Sequence, residues 1–257
     1  MTNSTVPGAT SAEIHPDSAP VLLEVEGLYA GYDQSDVLRG VDFRLTEGQF
    51  SVVIGPNGHG KTTLLRTISG LVALREGSIR FRGQRIDKMR TESIVAQGLV
   101  HIPQGDMLFP DMTVLENLTL GAFVRSAQKG QAESLERVFE IFPRLAERAK
   151  QRSRTLSGGE RRMLAIGRGL MSHAHVLMID EPSLGLAPVL VEEVYRQIAR
   201  IAADGMTILL VEEDFSRVRE LADQITLMEN GAVILSGTVD YVLSHPTIAA
   251  TYLGIDT

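Results

Sequence analysis

Three short segments carry side chains whose types and spacing imply phosphate chemistry. The first, Gly55-Pro56-Asn57-Gly58-His59-Gly60-Lys61-Thr62, fits the pattern G-x-x-x-x-G-K-T. Its glycines allow backbone N–H groups to turn inward around phosphate oxygens, and a helix beginning at Lys61 adds partial positive charge. Lys61 would reach β- and γ-phosphates and Thr62 would offer its hydroxyl to Mg²⁺, so the cradle is read from Gly55 through Thr63. The second segment, Val176-Leu177-Met178-Ile179-Asp180-Glu181, is an apolar run ending in two carboxylates. Asp180 is placed to hold the Mg²⁺ shell, and Glu181 to polarise an attacking water. The third, Leu156-Ser157-Gly158-Gly159-Glu160, lies between them and by itself reads as a helix N-cap. Each also has a plain structural reading: a Gly-rich turn with an incidental Lys-Thr, or an acidic strand exit before Pro182.

The elements that must position these groups follow from periodicity. Ser51 to Ile54 and Val176 to Ile179 are apolar runs suited to buried strands and too short for helices. After Lys61, Leu64, Leu65, Ile68 and Leu71 recur at helical spacing, and Gly70 is placed to end that helix. The first cradle therefore lies between a strand and a helix. Ligands of open parallel sheets lie at the carboxyl ends of strands, which brings Asp180 and Glu181 to the same side as the cradle. Val41 to Thr46 alternates as a half-buried strand, and Asn230-Gly231 separates Ile225–Met228 from Ala232–Leu235 as a hairpin turn does. Leu190, Val194, Ile198 and Ile201 mark a helix before a strand over Thr207–Val211. The strand–helix–strand alternation predicts an α/β fold with a parallel sheet. Leu135, Val138, Phe139 and Phe142 form a helical stripe that breaks this rhythm, so a helical subdomain is expected inserted over about 105–158. The charge run from Arg144 to Arg154 reads as a solvated helix face.

Composition narrows the setting. The chain has 257 residues, 44% hydrophobic and 22% charged, ordinary values for a globular protein. It has no cysteine, which excludes disulfides, thiolate–zinc sites and cysteine nucleophiles. With 25 basic and 32 acidic residues the net charge is −7, which argues against generic nucleic-acid binding. No apolar run reaches the roughly 18 residues of a spanning helix. Residues 1–20, rich in Ser, Thr, Pro and Ala, are expected to be a polar tail without fixed structure and not a signal peptide, with one domain over 21–257.

Together the segments, in this order, resemble the ATP-binding cassette (ABC) family, and the resemblance runs from about Leu22 to Gly254. More narrowly the chain is similar to the LivF-type ATPases of branched-chain amino-acid importers. Phe142-Pro143-Arg144-Leu145, Leu164-Ala165-Ile166-Gly167-Arg168, Glu181-Pro182-Ser183-Leu184-Gly185-Leu186-Ala187-Pro188 and Thr251-Tyr252-Leu253-Gly254 carry that likeness, much of which urea and short-chain amide importer ATPases share. It implies a P-loop NTPase core with an antiparallel β subdomain and an inserted helical subdomain, and an enzyme that hydrolyses ATP with Mg²⁺. Tyr32 matches the aromatic that stacks on adenine, with a core tyrosine as the alternative. Gln104 matches the loop glutamine that senses Mg²⁺ and water and faces the permease. Ser157, Gly158 and Gly159 match the loop that contacts the γ-phosphate bound by the opposite subunit.

The resemblance further implies transmembrane permease partners, a second ABC ATPase in a heterodimer or a second copy in a homodimer, a solute-binding protein acting indirectly, and a peripheral position on the cytoplasmic face of the membrane. One departure stands out. Where the family places a histidine that hydrogen-bonds the γ-phosphate, often glutamine in LivF-type chains, this chain has Glu213. An ionised carboxylate has no proton to donate and is repelled by phosphate. A slow or regulatory subunit is therefore one alternative reading. A urea or amide importer ATPase is another, towards which Gln104 leans because LivF-type chains often carry Glu there. A non-transport ABC ATPase is the third. Translation factors of that kind carry two cassettes and chromosome proteins a long coiled coil before the Ser157 segment, and this chain has room for neither.

Overall fold

A computed structural model describes residues 19–245. Residues 1–18 of the tail expected over 1–20, and the segment Thr251-Tyr252-Leu253-Gly254, lie outside the described residues. Two sheets divide the strands. The first is antiparallel, four-stranded, in the order β2-β1-β4-β5, from β1 (Val21–Tyr32), β2 (Ser35–Thr46), β4 (Leu74–Phe81) and β5 (Gln84–Arg85). Val41, Phe43 and Leu45 point to its buried face and Asp42 and Arg44 to solvent, the alternation of a half-buried strand.

The second sheet has six strands in the order β10-β9-β3-β8-β7-β6. These are β3 (Phe50–Ile54), β6 (Leu99–Ile102), β7 (Val176–Asp180), β8 (Thr207–Glu212), β9 (Gln224–Glu229) and β10 (Ala232–Thr238). All are parallel except β10, which returns from β9 through Asn230 and Gly231, both at positive φ (48° and 82°). Strands β3, β7 and β8 are buried throughout, as their unbroken apolar runs demand. The loops after β3, β8, β7 and β6 leave from the same edge of four neighbouring strands. This topology brings distant parts of the sequence together.

Helix α1 (Lys61–Ile68) follows β3 across the loop from Gly55 to Gly60. It stops where the Gly70 N–H meets the Thr67 carbonyl and the Leu71 N–H the Arg66 carbonyl, with Gly70 at φ 71°. Leu71 therefore falls past the helix and is 59% exposed, instead of continuing the buried stripe. The short helix α2 (Thr91–Ala96) leads into β6. Helices α3 (Val114–Gly121), α4 (Arg125–Gln128), α5 (Gln131–Ile141) and α6 (Pro143–Glu147) lie between β6 and β7, and α7 (Gly158–Leu170) leads back into the sheet. Helix α8 (Pro188–Ala203) buries Val194, Tyr195, Ile198 and Ile201, and α9 (Val239–Leu243) follows β10. The Arg144–Arg154 run is not one helix face. Helix α6 ends at Glu147, Arg148 pairs with Glu160 at 2.8 Å, and Arg152 and Arg154 both reach Asp111. Among the described residues no helix is long and apolar enough to cross a membrane.

Candidate nucleotide site

The cradle begins where β3 ends. Gly55 passes so close to β9 that a Cβ there would stand 2.3 Å from the Met228 carbonyl oxygen, so no other residue fits. Gly60, at φ 100°, turns the chain into α1 in a conformation that L side chains rarely adopt. His59 ties this turn to the β9–β10 hairpin, its carbonyl accepting from the Gly231 N–H (3.1 Å) and its Nδ1 from the Asn230 N–H (3.1 Å). Lys61, 3% exposed, curls back and donates to the carbonyls of Gly55 (2.7 Å) and Pro56 (3.1 Å). Its ammonium also stands 3.6 Å from Glu181 Oε1. The Lys61 charge is thus held at the centre of the cradle. Thr63 is buried inside α1.

Thr62 Oγ1 donates to Asp180 Oδ1 at 3.1 Å, joining the end of β7 to the start of α1. The other carboxylate oxygen, Oδ2, is buried with no hydrogen-bond partner. Burial, reinforced by the neighbouring Glu181 charge, pushes the Asp180 carboxyl up to about 6. A hydroxyl and an orphaned carboxylate oxygen side by side are the hard oxygen donors that Mg²⁺ takes. No group of three or more His, Asp or Glu among the described residues could hold a metal by itself, so a cation here would complete its shell from phosphate and water.

Glu181 sits one residue further, buried, with its backbone in the left-handed region at φ 45°. A non-glycine residue held there costs on the order of 1–3 kcal/mol and persists only where its surroundings enforce it. Its N–H donates to the Val211 carbonyl (3.0 Å), and Gln104 Nε2 donates to its Oε2 (2.9 Å) from the loop after β6. Lys61, Thr62, Asp180, Glu181 and Gln104 are therefore one connected group. Glu213 joins it from the loop after β8, its Oε2 accepting from Asn57 Nδ2 of the cradle at 2.9 Å. The sequence assigned Asn57 only to the cradle in general and gave no sign of this pair. Tyr32 stands beside α1, 44% exposed and hydrogen-bonded through its hydroxyl to Arg66 (3.3 Å), so its ring is outside the core.

Ser157, Gly158 and Gly159 are not part of this group. Ser157 caps α7 in a reciprocal capping box with Glu160, and Gly159 packs against Leu190 of α8. Among the described residues none of the three shares a hydrogen bond with the cradle.

A groove of about 510 Å³ opens beside Gln104, between β6, α3 and α7. Leu71, Met107, Phe109, Leu120 and Phe123, each at least 39% exposed, give it an apolar rim. His101 lines it, its Nε2 buried and unpartnered. Burial, aided by the Arg66 charge, lowers its imidazole to about 4. An exposed apolar surface of this kind is a candidate interaction site.

Residues 38–184 match the family model described as ABC transporter. The chain belongs to the ABC transporter family. As a member it binds nucleotide and hydrolyses ATP. It is 36% identical over 233 residues to the high-affinity branched-chain amino acid transport ATP-binding protein BraG of Pseudomonas aeruginosa, covering 91% of this chain and 100% of that protein. It is 34% identical to the probable branched-chain amino acid transport ATP-binding protein LivF of Archaeoglobus fulgidus, covering 91% of this chain and 99% of that one. The fold superposes on a nucleotide-free ATP-binding cassette from an ABC transporter with a TM-score of 0.78 at 28% identity, over 92% of this chain and 100% of that structure.

Proposed function

We propose that this chain is the ATP-hydrolysing subunit of an ABC importer for branched-chain amino acids, peripheral to the cytoplasmic face of the membrane. Collinear similarity to BraG over that protein's whole length carries the choice of cargo class. The connected group at the carboxyl ends of β3, β7 and β6 supports the chemistry.

Phosphoryl transfer asks a protein mainly for positioning and charge stabilisation. Lys61 supplies a buried positive charge where the cradle gathers phosphate oxygens. Thr62 and Asp180 would hold Mg²⁺, with Gln104 beside them; the ion, when bound, neutralises charge on the β- and γ-phosphate oxygens. Glu181 orients and polarises the attacking water, its carboxylate kept in place by Gln104 and by the tie of its backbone to β8. Tyr32 offers its exposed ring to adenine. Two cassettes face head to tail, so that Ser157, Gly158 and Gly159 of each complete the site of the other. The second cassette is a different ATPase in a heterodimer. The apolar groove beside Gln104 receives a permease subunit, which passes closure of the pair to the membrane, and a solute-binding protein outside selects the cargo.

The test is to tag the chain, solubilise native membranes gently and identify what copurifies. Two multi-span permeases with a second ATPase, and an associated binding protein that takes leucine or valine but not urea, are expected. A binding protein that takes urea alone would move the cargo to the amides. Ribosomal or chromosomal partners without a membrane subunit would overturn the importer reading.

A further inference from the structure

Next to Glu181 the fold buries a second carboxylate that the chemistry above does not use. Glu212, the last residue of β8, is 2% exposed. Its Oε1 accepts from Ser183 Oγ (2.8 Å) and from the Tyr195 hydroxyl of α8, and its Oε2 accepts from the Glu213 N–H (3.1 Å). Arg217 closes the cluster, donating to Ser183 Oγ (2.6 Å) and lying 4.0 Å from Glu212 Oε2. Burial and the Glu212 charge raise the Tyr195 phenol, which keeps its proton and serves as donor. A buried carboxylate is costly unless hydrogen-bonded, and an apolar side chain would fill the same space without that cost.

The connections show what this one does. The loop after β7 is fixed to β8 at two points: the Glu181 N–H on the Val211 carbonyl and Ser183 on Glu212. Between those points Glu181 holds its left-handed backbone. The same carboxylate fixes the amide of Glu213, whose side chain reaches Asn57 of the cradle. We infer that Glu212 is a positioning residue for ATP hydrolysis, a buried anchor that sets where the Glu181 and Glu213 carboxylates stand, with Tyr195 and Arg217 steadying it from α8 and the loop after β8. The inference rests on the ATPase reading of the site.

Three variants of the full-length chain test it. Ser183→Ala cuts the link to the Glu181 loop and Tyr195→Phe removes one donor. Glu212→Gln keeps the shape but sets an amide N–H against a donor. A small displacement at the reacting centre can cost up to about a hundredfold in rate. Glu212→Gln and Ser183→Ala are expected to lower kcat about tenfold or more with KM for ATP changed less than about twofold, and Tyr195→Phe to lower it less. The double variant Glu212→Gln/Ser183→Ala should be no slower than the slower single variant, because both break one link. Folded variants with wild-type kcat, or losses confined to KM and melting temperature, would overturn the inference. Amide exchange across Ser183–Leu186 tests the anchor without turnover. Faster exchange in Glu212→Gln, or in Tyr195→Phe should the first variant fail to fold, supports it, and unchanged exchange overturns it. Absent wild-type hydrolysis would instead count against the ATPase reading.

Discussion

Replacing Glu213 by glutamine removes one negative charge from the edge of the phosphate cradle and leaves the shape intact. In the structure the Glu213 carboxylate accepts a hydrogen bond from Asn57 Nδ2 at 2.9 Å, and a glutamine carbonyl can accept the same bond. The variant therefore isolates charge from geometry. A unit charge about 4 Å from a like charge costs about 1 kcal/mol in bulk water and about 4 kcal/mol at an effective dielectric near 20. Glu213 is exposed, so the lower figure governs. About 1 kcal/mol corresponds to roughly fivefold in rate, and the larger figure caps the effect near a thousandfold. Steady-state hydrolysis by the assembled complex should show kcat/KM for ATP raised about fivefold or more in Glu213→Gln, since kcat/KM registers the whole transition-state free energy. The gap should narrow as salt screens the repulsion in the wild type. Glu213→Ala, which also frees Asn57, should gain less. A kcat/KM for Glu213→Gln equal to or below the wild-type value, at low and high salt alike, would refute the electrostatic reasoning.

Other perturbations separate stability from chemistry. Burial and the Glu181 charge disfavour the ionised Asp180 carboxyl, raising it to about 6. Asp180→Asn, which removes that charge, should therefore raise resistance to urea in metal-free buffer at neutral pH by about 1 kcal/mol or more while hydrolysis is lost. His101 is held neutral down to about pH 4, whereas the unfolded chain protonates it near the ordinary imidazole value of 6.5. The unfolded state thus binds more protons in that window, and stability should rise with pH across it by about 3 kcal/mol, a slope that His101→Leu should flatten in denaturation curves taken from pH 4 to 7. Ser157→Ala removes an N-cap worth about 1 kcal/mol, which a melting curve will show. Because Ser157 lies apart from its own chain's cradle, that variant should bind ATP normally as an isolated chain and hydrolyse it poorly in the pair.

Much of this architecture is legible in the sequence because local chemistry dictates it. The runs at 51–54 and 176–179 can be little else than buried strands, and Gly70 ends α1 through the hydrogen bonds that its position allows. The Asn230-Gly231 turn is equally explicit. Leu71 misled because periodicity does not show where a helix stops. The Arg144–Arg154 run misled because a string of charges does not reveal partners distant in sequence, such as Glu160 and Asp111. The same limit hid the contacts between Asn57 and Glu213 and among Glu212, Ser183 and Tyr195, which depend on the order of strands in the sheet. Two adjacent glutamates at the end of an apolar strand were the available signal, but not that one is buried and the other exposed.

The central claim is tested most directly by solute uptake in cells that lack this chain. Uptake of labelled leucine and valine should fall, recover with the wild-type chain, and fail to recover with Lys61→Ala or Glu181→Gln expressed at the same level. Uptake of leucine and valine that is unaffected by loss of the chain, with urea uptake lost in its place, would contradict the account.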